Sequence, residues 1–339
     1  MNYGWFIAVI AFLAFALTWA LRYYALSRSL IDIPNARSSH SVPTPRGGGV
    51  AIVLTFTLAL VFLEWRDLLA TSSFWALAGS GALVALIGFM DDHGHIAARW
   101  RLLGHFGAAT WLLFWMGGMP PMQLWGVAID MGLVGHVLAA FYLVWLLNLY
   151  NFMDGIDGIA SVEAICVCLG AGLLAWLGGW AQLIWAPLLL AVCVAGFLVW
   201  NFPPARIFMG DAGSGFLGLV LGGLSVQAAS VSAEMFWAWL ILLGVFIVDA
   251  TFTLLRRLLR GERIYEAHRS HAYQFASRRF NSHLAVTLTV AAINLIWLLP
   301  IAVAVIRFGL DGCLGLILAY APLLCLVVLF RAGESETAP

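Results

Sequence analysis

A chain of 339 residues is long enough for two soluble domains, but 63% of it is hydrophobic and only 10% is charged. Soluble domains carry about a quarter charged residues, so the composition excludes a water-soluble globule and describes an integral membrane protein. Its 17 acidic and 17 basic residues balance, and every basic residue is arginine; without lysine there is no Walker A loop, Schiff-base enzyme or pyridoxal chemistry.

In chain order, apolar runs bounded by charge, Pro or Gly predict spans near 3–25, 48–63, 73–90, 101–117, 132–150, 159–177, 183–200, 215–231, 236–254, 284–306 and 311–330. This is an all-α polytopic bundle of about eleven transmembrane helices, or ten, forming a single membrane domain over 1–339. The first run exceeds a signal-peptide core and lacks a small-residue cleavage site, so it is expected to remain as a span. The second is short for a bilayer about 30 Å thick. The five cysteines lie inside apolar stretches without zinc-ligand spacing.

With eleven spans, the loops after odd-numbered helices share one side with the C-terminus. That side holds fifteen arginines, and the other holds Arg66 and Arg307. Because cytoplasmic loops accumulate basic residues, the N-terminus is expected outside and the C-terminus in the cytoplasm.

The same side carries the polar loops, near 27–47, 91–100, 151–158, 201–214 and 255–283. Asp91, Asp92, Asp154, Asp157 and Asp211 stand at the ends of apolar helices, beside glycines, where an acid is costly unless paired, solvated or bound to a cation. Each alone could cap a helix end. Together, without Cys or His at ligand spacing, they suit a hard, oxygen-seeking ion, and Mg²⁺ fits best because it binds one or two carboxylates plus substrate phosphates. Gly213–Gly218 matches GxGxxG but opens a membrane helix instead of following a strand, so a dinucleotide fold is excluded. Glu163 and Asp249 fall inside spans and are expected to support or pair with other groups. His268-Arg269-Ser-His271, among the arginines of the last loop, is either a headgroup anchor or a clamp for diphosphate or sugar. A divalent-ion site with phosphate-binding arginines at headgroup depth suits transfer from a soluble nucleotide-activated donor to a lipid acceptor.

At these residues the chain resembles the polyprenyl-phosphate N-acetylhexosamine-1-phosphate transferases of the MraY/WecA superfamily. The resemblance rests on Pro43-Thr-Pro-Arg46-Gly-Gly, Asp91-Asp92, Asn148-x-x-Asn151-x-x-Asp154-Gly-x-Asp157-Gly, Phe208-Met-Gly-Asp211-x-Gly-Ser and a His-bearing last loop. It implies a UDP-sugar donor, undecaprenyl phosphate as acceptor, UMP release, and Mg²⁺ with Mn²⁺ as its substitute. The setting is the bacterial inner membrane with the site facing the cytoplasm and lipids around it; no nucleic acid is implied, and a homodimer is compatible.

Carried over residue by residue, Asp211 would be the principal metal ligand, with Asp92 beside it. Asp91 and Asp92 would lie near the lipid phosphate, one of them as the base. Asp154 and Asp157 would line the nucleotide and diphosphate site as catalytic groups. Phe208 would stack on uracil with Asn201 nearby, while Arg46, Asn151, His268, Arg269 and His271 would hold substrate. The lysine that many members place after the aspartate pair can here be only Arg99 or Arg101. The last loop, His268-Arg-Ser-His-Ala-Tyr-Gln274, looks like the branch that initiates O-antigen and lipopolysaccharide synthesis with UDP-N-acetyl-6-deoxyhexoses, Ala272 and Tyr273 offering an apolar wall. UDP-N-acetylglucosamine and the muramyl-pentapeptide donor are the alternatives within the superfamily. A transporter is the alternative outside it, and would need polar groups near the bilayer midplane in repeated, broken helices.

Overall fold

The computed structural model describes residues 3–34, 39–40, 42–94, 96–262 and 268–334. The remaining parts of the predicted polar loops, and the tail from 335, lie outside the described residues. Helices follow in order as α1 (Gly4–Ser27), α2 (Val50–Trp65), α3 (Thr71–His93), α4 (Ala98–Met116), α5 (Gly132–Met153), α6 (Ile159–Gly178), α7 (Trp185–Asn201), α8 (Asp211–Ala229), α9 (Ala233–Leu242) and α10 (Gly244–Leu259). After them come α11 (Ala272–Phe280), α12 (His283–Ile293), α13 (Leu299–Phe308) and α14 (Gly312–Leu329). Strands are confined to two small antiparallel pairs: β1 (Ile31–Asp32) with β2 (Thr44–Pro45), and β3 (Met122–Leu124) with β4 (Val127–Ile129).

Every expected apolar run is helical, and among the described residues eight helices are long and apolar enough to cross a membrane, nine if the bent pair α9–α10 counts as one. Three expected spans depart from a plain crossing, and one of them is the run at 101–117, whose helix α4 is not among those eight or nine. At 16 residues α2 is short, reaching about 24 Å at 1.5 Å per residue. The run expected at 236–254 bends by 68° between α9 and α10 at Leu243–Gly244, where no charge or proline had marked a break. Another uninterrupted apolar run, 284–306, holds a π-helical turn at Asn294–Leu298 between α12 and α13. There Asn294 donates to Glu163 Oε2 at 2.7 Å and to the Val290 carbonyl at 3.1 Å. Glu163 therefore has an amide partner inside the bundle, where a supporting or ion-paired role was expected.

The most buried span is α8, which packs against α3 and α5. Its N-terminal turn is crossed so closely by α3 that a Cβ on Gly88 would lie 2.5 Å from the Ala212 nitrogen. That contact brings the aspartate pair at the end of α3 against the start of α8. On the same end of the bundle the β1–β2 pair aligns Ile31 with Pro45 and Asp32 with Thr44. At the opposite end of α4 and α5 lies the β3–β4 hairpin, turning at Trp125 and Gly126 with φ of 52° and 77°. Hydropathy alone gives no element between the runs at 101–117 and 132–150.

Candidate active site

The five polar loops meet at one end of the bundle around a cavity of about 390 Å³. Its wall takes Asp32, Ser39, His40 and Arg46 from the first loop, Asp92 from α3, and Asn151 to Asp157 from the end of α5. Asn201 and Phe208 to Asp211 come from the segment between α7 and α8, and Gln274 and His283 from the last loop and α12.

Backbone pairing joins two of these segments. The Gly48 and Gly49 amides donate to the Phe208 and Met209 carbonyls at 2.9 and 2.8 Å, and the Phe208 amide donates to Pro45 at 2.8 Å. Such pairing needs close approach: a Cβ on Gly49 would lie 2.4 Å from Gly213 Cα. The PTPRGG sequence is thus a strand-like strap against the segment that carries Phe208 and Asp211.

The five aspartates have different surroundings. Asp92 is buried, and its two carboxylate oxygens accept the Asp211 and Ala212 amides at 3.2 and 3.3 Å. It caps the N-terminus of α8, where unpaired amides and the helix dipole favour an anion. Arg46 donates to the Asp92 carbonyl at 2.6 Å and holds its Nε 4.0 Å from Asp92 Oδ1. Asp91 accepts the Ile96 amide at 2.8 Å and is salt-bridged to Arg101. The same guanidinium stands 3.5 Å from Asp211 Oδ2, while Arg99 lies over the Trp100 ring. Arg101 is thus the basic residue that reaches the aspartates.

Asp157 Oδ2 accepts the Ala205 amide at 3.0 Å and its Oδ1 faces His283 Nδ1 at 3.3 Å. Asp211 accepts from Asn151, which also donates to Ser214, both at 3.0 Å. Asp154 is the exception. At the end of α5 it lines the cavity half-buried, and the described residues give its carboxyl no hydrogen bond or ion pair. Burial first, and then the charges of Asp211, Asp157 and Asp92, push its pKa well above the usual carboxylate range.

Other expected residues fall in three groups. Phe208 lines the cavity with the His40 ring edge-on at 4.8 Å. Asn201 is buried and ties α6 to the α7–α8 segment, accepting from the Gly158 amide and donating to the Ile207 carbonyl, both at 3.0 Å. His268, Arg269 and His271 do not line the cavity. His271 is buried at the start of α11 with its Nδ1 3.2 Å from Asp249 Oδ1, and its ring stacks on His268. The Asp249 carboxylate also accepts the Ala272 and Tyr273 amides at 2.9 and 3.0 Å. His271 and Asp249 thus close the helix end, so Asp249 is paired, but not with an arginine. Ala272 and Tyr273 are buried as well, and the Tyr273 hydroxyl donates to the Phe152 carbonyl at 3.0 Å. The apolar wall expected of them is absent from the cavity, where Ile156 stands instead.

Asp32 and His283 carry no expectation from the sequence, His40 none beyond its place in a polar loop, and Gln274 enters only as the end of the last-loop motif. A lone His at the head of an apolar helix carries no spacing signal. Only the asparagine-serine corner before it, a helix start, could have pointed to this place.

A second cavity of about 170 Å³ opens between α3, α4 and α5 and shares Asn151 and Asp211 with the first. Asp91, Arg101 and His105 sit within it among Val84, Ile87, Leu102 and Leu147. A polar chamber and a small, largely apolar one thus meet at Asp211.

The donor set fits a divalent cation. Asp154 is a half-buried carboxyl with no partner among the described residues, and Asp211 adds a second carboxylate, the number Mg²⁺ takes when phosphates complete its shell. Among the described residues no three His, Cys, Asp or Glu side chains form a ready-made metal cage.

Residues 74–229 match the family model described as glycosyl transferase family 4. The chain is 30% identical over 313 residues to the decaprenyl-phosphate N-acetylglucosaminephosphotransferase of Mycolicibacterium smegmatis, covering 81% of this chain and 75% of that one. It is 27% identical over 301 residues to the probable undecaprenyl-phosphate N-acetylglucosaminyl 1-phosphate transferase of Bacillus subtilis, covering 85% and 82%. With the phospho-N-acetylmuramoyl-pentapeptide-transferase of Streptococcus pneumoniae it shares 29% over 240 residues, 66% of this chain and 71% of the relative.

Proposed function

The chain belongs to glycosyl transferase family 4, the MraY/WecA superfamily, and from that premise we propose that it transfers an N-acetylhexosamine-1-phosphate from a UDP-sugar to undecaprenyl phosphate and releases UMP. The reaction is placed in the bacterial inner membrane at its cytoplasmic face. The observation that carries this reading is the meeting of the two cavities at Asp211: the larger is lined by all five loops, and the smaller has mostly apolar walls around Asp91, Arg101 and His105.

The donor diphosphate occupies the larger chamber and the acceptor phosphate enters the smaller one from the lipid side. Arg101 meets that phosphate with a fork of donors suited to it, and Arg46 balances charge at the donor side. An oxygen of the lipid phosphate attacks the β-phosphorus of the donor. The bond from that phosphorus to the bridging oxygen breaks, and UMP leaves with the oxygen and the electron pair. Asp154 and Asp211 would hold Mg²⁺, which supplies charge neutralisation at the diphosphate when bound; Mn²⁺ is the expected substitute. Direct attack is supported by the pairing of Asp91 and Asp92, whose carboxylate oxygens are engaged by Ile96, Arg101 and the start of α8 and are poorly placed as nucleophiles.

For the sugar we propose an N-acetyl-6-deoxyhexose, with initiation of O-antigen synthesis as the role. The sequence of the last loop supports this, and Ile156 offers an apolar surface in the donor chamber. UDP-N-acetylglucosamine is the competing donor, since two of the relatives are named for that sugar.

The test is UMP release from UDP-sugars with undecaprenyl phosphate and Mg²⁺. Asp211→Asn is expected to abolish release while the protein stays folded, because it removes charge from a cavity-facing group. Near wild-type activity in that variant refutes the assignment. Competition between UDP-N-acetylfucosamine and UDP-N-acetylglucosamine decides the sugar, and a clear preference for the latter removes the 6-deoxy reading alone.

A further inference from the structure

The imidazole at the head of α12 has no part in the scheme above, yet it touches two of the five loops. His283 Nδ1 lies 3.3 Å from Asp157 Oδ1, and its Nε2 lies 3.0 Å from the Ser39 carbonyl. Four residues on, Thr287 donates to the Asp157 carbonyl at 2.9 Å. One face of α12 therefore grips the Asp157 turn by both side chain and backbone, and through His283 that face also reaches the first loop.

The place it occupies is a partition. His283, Ser39, His40, Asp157 and Phe208 all line the donor chamber, and all also line a neighbouring polar cavity of about 350 Å³ that continues to Arg278 and Asn281. In the partition the His40 ring stands edge-on to Phe208. Among the described residues, the first loop is held on this side by the short β1–β2 pairing, by the Phe208 amide on Pro45, by His40 against Asp32 and by the bond from His283 to Ser39. Asp157, for its part, depends on His283 and the Ala205 amide for its carboxylate orientation. Breaking the imidazole link loosens both walls at once, leaving Asp157 its bonds to Ala205 and Thr287 and the first loop its strap to Phe208.

We propose that His283 is a positioning residue for the donor: it sets the Asp157 carboxylate and closes the Ser39–His40 segment over Phe208, so that the nucleotide half of a UDP-sugar meets a preformed wall. The inference rests on the reading of the larger cavity as the donor site. Its effect falls on donor affinity, because His283 lies outside the smaller cavity that Asp91 and Arg101 line. A preformed wall removes ordering that binding would otherwise have to impose.

The two ring nitrogens can be separated by substitution. An Asn amide reaches about where Nδ1 stands and a Gln amide about where Nε2 stands, so His283→Asn keeps the Asp157 contact and His283→Gln keeps the Ser39 contact. The experiment measures UMP affinity by calorimetry, without acceptor, and then KM for donor and for undecaprenyl phosphate. Expected for His283→Ala is a UMP affinity and donor KM weaker by about tenfold or more, with kcat and acceptor KM within about threefold. Partial recovery is expected in both the Asn and Gln variants. Wild-type UMP affinity in His283→Ala overturns the proposal, and so does an equal loss in donor and acceptor parameters with a fall in Tm, which would mark a purely structural role. Wild-type protein that binds no UMP and transfers nothing overturns the donor-site reading itself, and is thereby distinguished from failure of the proposal alone.

Discussion

Replacing Gly49 by Ala tests whether the strap between the first loop and the start of α8 sets the catalytic geometry. The added Cβ would lie 2.4 Å from Gly213 Cα and 2.9 Å from the Met209 carbonyl oxygen. Both are backbone atoms that no side-chain rotation can move. Ordinary contact is about 1 Å wider than the first of these distances, so the first loop must retreat by on the order of 1 Å from the segment carrying Phe208, Gly210 and Asp211. A misplacement of that size at reacting groups costs about 100-fold in rate, and we expect a loss of that order in kcat for UMP release. Folding should survive, because the strap lies at the end of the bundle and not in its core. Gly107→Ala is the matched control: its nearest neighbour would be Leu83 Cδ2 at 4.0 Å, and activity should be unchanged. Gly49→Ala within about threefold of wild type would refute the reasoning.

Arg101→Met leaves Asp91 without its ion partner beside Asp211 and should reduce transfer by more than about 100-fold, with Arg101→Lys recovering part of it; equal activity in the Met and Lys variants would exclude a charge role. Chelation by EDTA should stop turnover and Mg²⁺ or Mn²⁺ should restore it, whereas transfer that continues under EDTA would exclude a cation. Because burial and neighbouring charge raise the Asp154 pKa, a proton competes with the cation to a higher pH than at an ordinary carboxylate. The Mg²⁺ concentration for half-maximal rate should therefore fall as pH rises, and a flat profile from about pH 5 to 8 would contradict this. A reporter fused after Pro339 should be active in the cytoplasm, as the arginine distribution requires; a periplasmic signal would mean a miscounted span.

The apolar helices and the polar loops between them were legible because membrane segments write their own length and because Asp, Gly, Asn and Pro interrupt them. The 68° break at Leu243–Gly244 was not, since Ile241-Leu-Leu-Gly-Val-Phe246 reads as one apolar stretch in which a lone glycine marks no boundary. The β3–β4 hairpin did leave a signal, alternating residues around Trp125-Gly126, but a hydropathy reading has no place for it. The choice between Arg99 and Arg101 needed the facing of α4, which neighbouring sequence cannot supply.

The aspartates show most clearly why composition stops short of mechanism. In the sequence all five look alike, acids beside glycines at helix ends. Their roles diverge because the partners come from distant parts of the chain: Asp92 meets amides 119 and 120 positions away, and Asp157 meets an imidazole 126 positions away. Asp91 alone finds both its partners nearby, at Ile96 and Arg101. Packing these carboxylates together is unfavourable unless each charge is met. The start of α8 meets Asp92, Arg101 meets Asp91 and stands near Asp211, and His283 and an amide meet Asp157. What is left over is the Asp154 carboxyl, which lines the larger cavity with no partner among the described residues, and Asp211, which stands where the two cavities meet. On the proposed reading, those two groups are what a divalent cation and its diphosphate would complete, where the donor chamber meets the smaller cavity.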